Sequence, residues 1–235
     1  MRRSSMRNIG VIFKKQLKDT FKNKTVLIQF LMFPVMTLIM DNLVSFPIPD
    51  MPENFFVKLF SVMYIGMAPL MSVGSIIAEE KEKNTLRVLT MANVKPWEYL
   101  LGVGLYVWTL CMIGAGVMAT GLPKEQIPFF MGIMAVGFLI SIAAGACVGV
   151  FAQNQMAATS IVMPVMLVLS FAPMLSMFND KIEKVSRVFF TQQLRVLMDT
   201  MTFDGIKSET LAVVGINAVI AILLFFVAFK RKGLE

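Results

Sequence analysis

Glu79-Glu80-Lys81-Glu82-Lys83 is the densest run of ionisable side chains in this sequence of 235 residues. Carboxylates so close together could take part in acid–base chemistry, but that work needs a pocket to shield and tune them. Five consecutive charges predict a loop in water instead. No other reactive set fills the gap. There is no histidine, which removes histidine triads, proton relays and histidine metal sites. Cys111 and Cys147 each lie inside an apolar run, where a thiol serves as a small packing residue rather than half of a disulfide. No G-x-x-x-x-G-K-[ST] loop is present to cradle a nucleotide. The 21 methionines stand mostly singly among apolar neighbours, which suits adaptable packing better than copper binding. No catalytic residue and no metal site is expected.

The elements that hold this charged run are apolar. Hydrophobic residues make up 57% of the chain and charged residues 16%, against about 25% charged in an ordinary soluble domain. A globule needs a polar skin that this composition cannot supply, so the expected solvent is lipid. Six stretches reach the roughly 20 apolar residues a spanning helix needs: 25–46, 55–78, 97–119, 129–152, 156–178 and 209–229. Pro47-Ile48-Pro49-Asp50, Gly121-Leu122-Pro123-Lys124 and Gln153-Asn154-Gln155 separate them. The first stretch lacks a small-x-small cleavage site and is expected to remain as a span.

With the N-terminus inside, residues 2–24, 81–95 and 230–232 place 15 of the 22 lysines and arginines on the inner side. Positive charge gathers on the cytoplasmic side of membrane proteins, so both termini are expected there. The net charge of +7 then faces anionic headgroups, not nucleic acid. The expectation is an all-α polytopic membrane protein forming one transmembrane domain over 1–235, with six transmembrane helices and an N-terminal interfacial amphipathic helix.

Three segments lie outside the spans. In 6–24, Ile9, Ile12, Phe13, Leu17, Thr20 and Phe21 recur at helical spacing among lysines, predicting a helix in the interface; a plain basic flank is the alternative. In 79–96, Asn84 and Thr85 can cap a helix. Leu86, Leu89 and Asn93 follow on one face with Val88 and Met91 beside them, and Pro96 suits the first turn of the next span. That reads either as a short amphipathic helix seeking a partner's groove or as a solvated loop. In the outer segment 179–208, Phe190, Leu194, Leu197 and Met201 at helical spacing predict one or two helices packing on the bundle or dipping into the headgroups.

Within the spans, Gly137, Ser141, Gly145 and Gly149 form a small-residue face on which helices pack closely, against either another span of this chain or a second copy. Pro34, Pro69, Pro164 and Pro173 interrupt helices, by simple curvature or as kinks that line a pathway. Asp41 and Lys58 near the outer ends are accounted for either as a pair or by interfacial solvation.

The loop reads Glu80-Lys81-Glu82-Lys83-Asn84-Thr85-Leu86-Arg87-Val88-Leu89-Thr90, followed by Leu101-Gly102. Together with a basic interfacial helix, a proline-bearing first span and six spans, it resembles the type-2 ATP-binding-cassette (ABC-2) exporter permeases. Their loop commonly reads acid, basic, acid, any residue, Gly-Thr-Leu-acid, any residue, Leu-Leu. This chain departs at Asn84 for glycine, Arg87 for an acid and Asn93 for proline; asparagine tolerates the left-handed backbone that glycine would supply. The resemblance implies a coupling helix that docks on a separate ATP-hydrolysing subunit, with Glu80, Glu82, Thr85, Leu86 and Leu89 as the docking positions. It implies that spans two and five, bearing Pro69, Pro164 and Pro173, face the pathway. A second permease copy, identical or paralogous, would complete it. ATP and magnesium would then belong to the partner, with no cofactor on this chain. Export of an amphipathic drug, peptide or lipid across a bacterial plasma membrane is the expected function. The alternative is a channel-like or sensory membrane protein whose loop docks a non-ATPase cytoplasmic partner.

Overall fold

A computed structural model describes residues 2–22, 24–43, 54–92, 94–202 and 206–232. The Pro47–Asp50 separator and Asn93 of the loop stripe lie outside the described residues. Among the described residues there are ten α-helices and no strand: α1 (Arg2–Lys22), α2 (Lys24–Leu43), α3 (Phe55–Glu82), α4 (Thr85–Met91), α5 (Pro96–Met118), α6 (Ile127–Phe151), α7 (Gln155–Leu175), α8 (Asp180–Ser186), α9 (Phe190–Thr200) and α10 (Ser208–Lys232). Five are long and apolar enough to cross a membrane: α3, α5 with the 3₁₀ turn Ala119–Gly121, α6, α7 and α10. The sixth expected span, α2, carries a shorter apolar core, Leu27–Asn42.

Helix α3 runs through the middle of the bundle against α2, α5, α6, α7 and α9. It runs from the end of the bundle where α9 lies to the end where α4 lies. The outward sides of the peripheral helices are apolar: Leu211, Ile216, Val219, Leu223 and Phe226 of α10 are all exposed. Such a surface suits hydrocarbon, and the backbone inside it has to satisfy itself.

The prolines show how that is done. A proline has no N–H, so the carbonyl four residues earlier loses its intrahelical donor. Pro34 in α2 frees the carbonyl of Phe30, and the Tyr64 hydroxyl of α3 donates to it at 3.1 Å. Pro69 in α3 frees the carbonyl of Ile65, and the Ser141 hydroxyl of α6 donates to it at 2.6 Å. Ser141 thus acts as more than a small residue. Its three companions let α6 approach α3 of the same chain. A Cβ on Gly145 would lie 2.5 Å from the Leu70 carbonyl oxygen, and one on Gly149 would lie 2.7 Å from the Ile77 Cβ. One on Gly137 would lie 2.8 Å from atoms of Ile65 and Leu194. The partner of this face is α3.

Helix α7 passes through Pro164 and Pro173 as one helix. Pro164 is exposed and Pro173 buried, and the turn before Pro173 packs so closely on Gly66 that a Cβ there would sit 2.5 Å from the Ser170 Oγ. It is the 179–208 segment that enters the bundle. Leu194 of α9 meets Gly137 and Ile65, each ten residues into its helix, a level about 15 Å from the helix starts at 1.5 Å per residue. The buried Gln192 and Gln193 hold it there: Gln192 accepts from Ser176, the residue that caps the end of α7, at 2.9 Å, and Gln193 accepts from Thr210 of α10 at 3.1 Å. Among the described residues no ion pair joins Asp41 to Lys58. Asp41 lies instead against Gly121, where a Cβ would come within 2.6 Å of its Oδ2. Cys111 and Cys147 are both free thiols.

Candidate functional site

Helix α3 carries charges in its last turn, and the break into α4 is made at one residue. Asn84 adopts φ 56°, the left-handed conformation that asparagine tolerates best among residues with a side chain. Lys83 and Asn84 donate their N–H groups back to Glu79 and Lys81, closing the last turn. The chain then re-enters a helix at Thr85 and ends it at Met91. At the far side of the loop Pro96 opens α5, and Glu98 accepts from the Lys95 N–H at 3.2 Å.

The two faces of α4 differ in a way that spacing did not separate. Leu86 is 4% exposed and Leu89 packs against the core, so these two anchor α4 to the bundle. Val88 and Met91, 63% and 72% exposed, point away from it beside exposed Arg87. Thr85, at the first position of α4, is half-buried.

Three side chains of the charged run, Glu80, Lys81 and Glu82, each reach a different element. Glu80, 6% exposed, is held by the Lys15 ammonium and by the Gln16 amide at 2.7 Å, both from α1. Lys81 donates to the carbonyl of Val150 at 2.9 Å in the last turn of α6. Glu82 accepts the N–H of Gln155 at 3.0 Å, the first residue of α7. Glu79 pairs with Lys83 one turn on and holds the lysine ammonium above its ordinary pKa. Lys81 and Glu82 match the ends they meet, because a helix C-terminus favours a cation and an N-terminus an anion. Glu80 and Glu82, expected to dock a partner, thus reach α1 and α7 of their own chain.

Helix α1 is bound through a polar and apolar stripe at intervals of four. Asn8 donates to Glu98 at 2.8 Å, Gln16 reaches Glu80, and Thr20 meets the Tyr106 hydroxyl. Between them Ile12 lies over Gly102, where a Cβ would approach to 2.8 Å. Ile12, Phe13 and Leu17 of the apolar face expected to lie down on the membrane interface pack on the core of the bundle instead. Apolar spacing does not pick out Asn8 and Gln16, although residues 8, 12, 16 and 20 are one helical face. Nothing in the sequence marks the Val150 carbonyl or the Gln155 N–H, since backbone groups have no letter.

Among the described residues no cluster of histidine, cysteine, aspartate or glutamate could hold a metal ion. What the arrangement offers is mechanical: a short helix with an outward apolar face, joined to a hub of ion pairs and helix-end contacts. An all-helical bundle of this build, with five long apolar helices and a sixth shorter one, is a membrane-embedded protein. Residues 56–230 match the model of the ABC-2 family transporter proteins, and the chain belongs to that family. It is a family of membrane transport components. Among proteins with curated descriptions, none matches this sequence.

Proposed function

We propose that this chain is the permease subunit of an ATP-binding-cassette exporter, driven by a separate ATP-hydrolysing subunit that docks on α4. The observation that carries this reading is the outward pair Val88 and Met91 on a helix whose opposite side is anchored by Leu86 and Leu89. An amphipathic helix fixed on one side and bare on the other suits a partner's groove. The distribution of lysine and arginine supports a cytoplasmic position for α4 and both termini, with α2 as the first of six spans. The docking positions are then Val88 and Met91, flanked by Thr85 and Arg87, while Leu86 and Leu89 hold α4 on the bundle and Glu80 and Glu82 tie the end of α3 to α1 and α7. A second permease copy completes the pathway in the plasma membrane, and ATP and magnesium sit on the partner. The substrate is amphipathic, a drug, peptide or lipid, in keeping with walls of Met, Phe, Leu and Val.

The test is affinity purification of the full chain from its native membrane, with mass spectrometry of what accompanies it. A soluble subunit bearing a P-loop is expected with the wild type. It is lost with Val88→Asp/Met91→Asp, whose substitutions lie on the open face and leave the bundle folded. A well-folded wild-type chain that brings down no such subunit overturns the reading.

A further inference from the structure

We propose that Lys81 and Glu82 form a clamp across the α6–α7 turn, and that movement of α4 reaches α6 and α7 through it. This rests on the reading of α4 as the docking helix. Lys81 and Glu82 reach back to α6 and α7, and only the turn at Lys83 and Asn84 separates them from the start of α4. Lys81 holds the last turn of α6 by the Val150 carbonyl, and Glu82 holds the first N–H of α7 at Gln155. Only residues 152–154 lie between the two helices. Adjacent residues of α3 therefore grip both ends of one short turn.

The grip is stronger than its exposure suggests, because each contact fills a place a helix end leaves open. The first N–H groups and last carbonyls of a helix have no partner within it. At α7, Asn154 accepts from Ala157 at 2.8 Å and Glu82 from Gln155, so two of those N–H groups are satisfied from two sources. Asn154 is local to the turn, whereas Glu82 comes from α3. Deleting Glu82 leaves α7 with its own cap and its packing on α3 and removes only the bond that ties its first N–H to the end of α3. Opposite charges in sequence order, cation to the C-terminal end and carboxylate to the N-terminal end, fit this use and no surface use. Beyond the turn Met156 is 83% exposed, while Ala158 is buried against Ala78 of α3 and Ala152 of the turn, so the clamp adds a polar tie beside an apolar one. Glu80 extends the same hub to α1 through Lys15 and Gln16.

Hydrogen–deuterium exchange tests the clamp in two stages. In the full chain alone, Glu82→Ala is expected to speed exchange over 152–157 about fivefold, the scale of losing a helix cap, with α4 unchanged. Glu82→Gln keeps an acceptor oxygen and serves if the alanine variant does not fold, read the same way with a smaller rise. Unchanged exchange over 152–157 overturns the clamp. In the complex with its co-purified ATPase, Mg-ATP with vanadate is expected to alter exchange in both 85–92 and 150–157 of the wild type. In Lys81→Met/Glu82→Ala the response of 150–157 is expected to shrink severalfold while 85–92 responds as before. A merely structural role for the pair predicts that 150–157 responds in full in the variant, and that result overturns the transmission role. If nucleotide leaves 85–92 of the wild type unchanged, the exporter reading fails and takes transmission with it, while the first stage still decides the clamp.

Discussion

Ser141→Ala removes the one donor that serves the Ile65 carbonyl, which Pro69 has cut off from its own helix. Both groups are enclosed at the α3–α6 contact, and Ser141 is fully buried. A buried carbonyl left without a donor costs about 1–3 kcal/mol. Hydrogen bonds between membrane helices average about 0.6 and reach about 1.7 kcal/mol, so about 1 kcal/mol is the expected loss. The informative comparison is made in a Pro69→Ala background. Alanine restores an N–H at position 69, the Ile65 carbonyl regains an intrahelical donor, and Ser141→Ala then costs only a few tenths. The coupling between the two substitutions should therefore be about 0.5–1 kcal/mol, above the noise of a double-mutant cycle. Reversible unfolding in mixed detergent micelles measures it. Equal costs of Ser141→Ala in the two backgrounds would refute the claim that the serine repairs the proline.

The second proline gives a parallel case: Tyr64→Phe strips the donor from the Phe30 carbonyl freed by Pro34, and the same unfolding assay should show a loss of about 1 kcal/mol that Pro34→Ala relieves. Gly145→Ala places a methyl 2.5 Å from the Leu70 carbonyl oxygen, a backbone atom that cannot swing aside, and should cost about 1–3 kcal/mol. Gly132→Ala in the same helix meets nothing within 4 Å and should be neutral by the same measurement. On α8, the hydrogen bond from Arg187 holds the Glu183 carboxyl below its ordinary pKa. A lowered folded-state pKa stabilises above the unfolded value and is lost as pH falls through the folded one, so hydrogen exchange over 180–186 should loosen below the ordinary glutamate range and stay flat from there to neutrality.

The apolar stretches were legible because hydrophobic length is written directly in the sequence. Spans expected at 55–78, 97–119, 129–152, 156–178 and 209–229 correspond to α3, α5, α6, α7 and α10, each within a few residues. Asn84 was legible for a different reason: a glycine position filled by asparagine points to a left-handed residue, and φ 56° is what stands there. The face of α4 was not legible. Leu86, Val88, Leu89 and Met91 all suit a short amphipathic helix, and which side anchors depends on where the core lies. The charged run misled for a related reason. Five charges predict water, but Glu80 is buried because Lys15 and Gln16, about 65 residues earlier, come to meet it. Contacts of that span leave no local trace. The depth of α9 was equally hidden, since its polar residues looked like surface until Ser176 and Thr210 were seen to satisfy them.

How far a displacement of α4 spreads depends on the seam that α3 shares with α6. The seam brings Gly145 against the backbone of Leu70 and Gly149 against Ile77, with the Ser141 bond at its centre. Packed interiors with backbone in contact deform poorly and tend to move as units. Sliding α3 along α6 by one residue, about 1.5 Å, would bring side chains where only glycine fits and would pull Ser141 off its carbonyl. Rotation of the two together breaks neither contact. Lys81 joins the same two helices at one end, with Glu82 beside it reaching α7, and Leu194 of α9 seats against both Gly137 and Ile65 toward the other. Helices α3 and α6 are thereby tied to each other along most of their length. A push on α4 that turns α3 must turn α6 with it, carry the start of α7, and shift the seat of α9, while the lipid-facing side of α10 opposes it least.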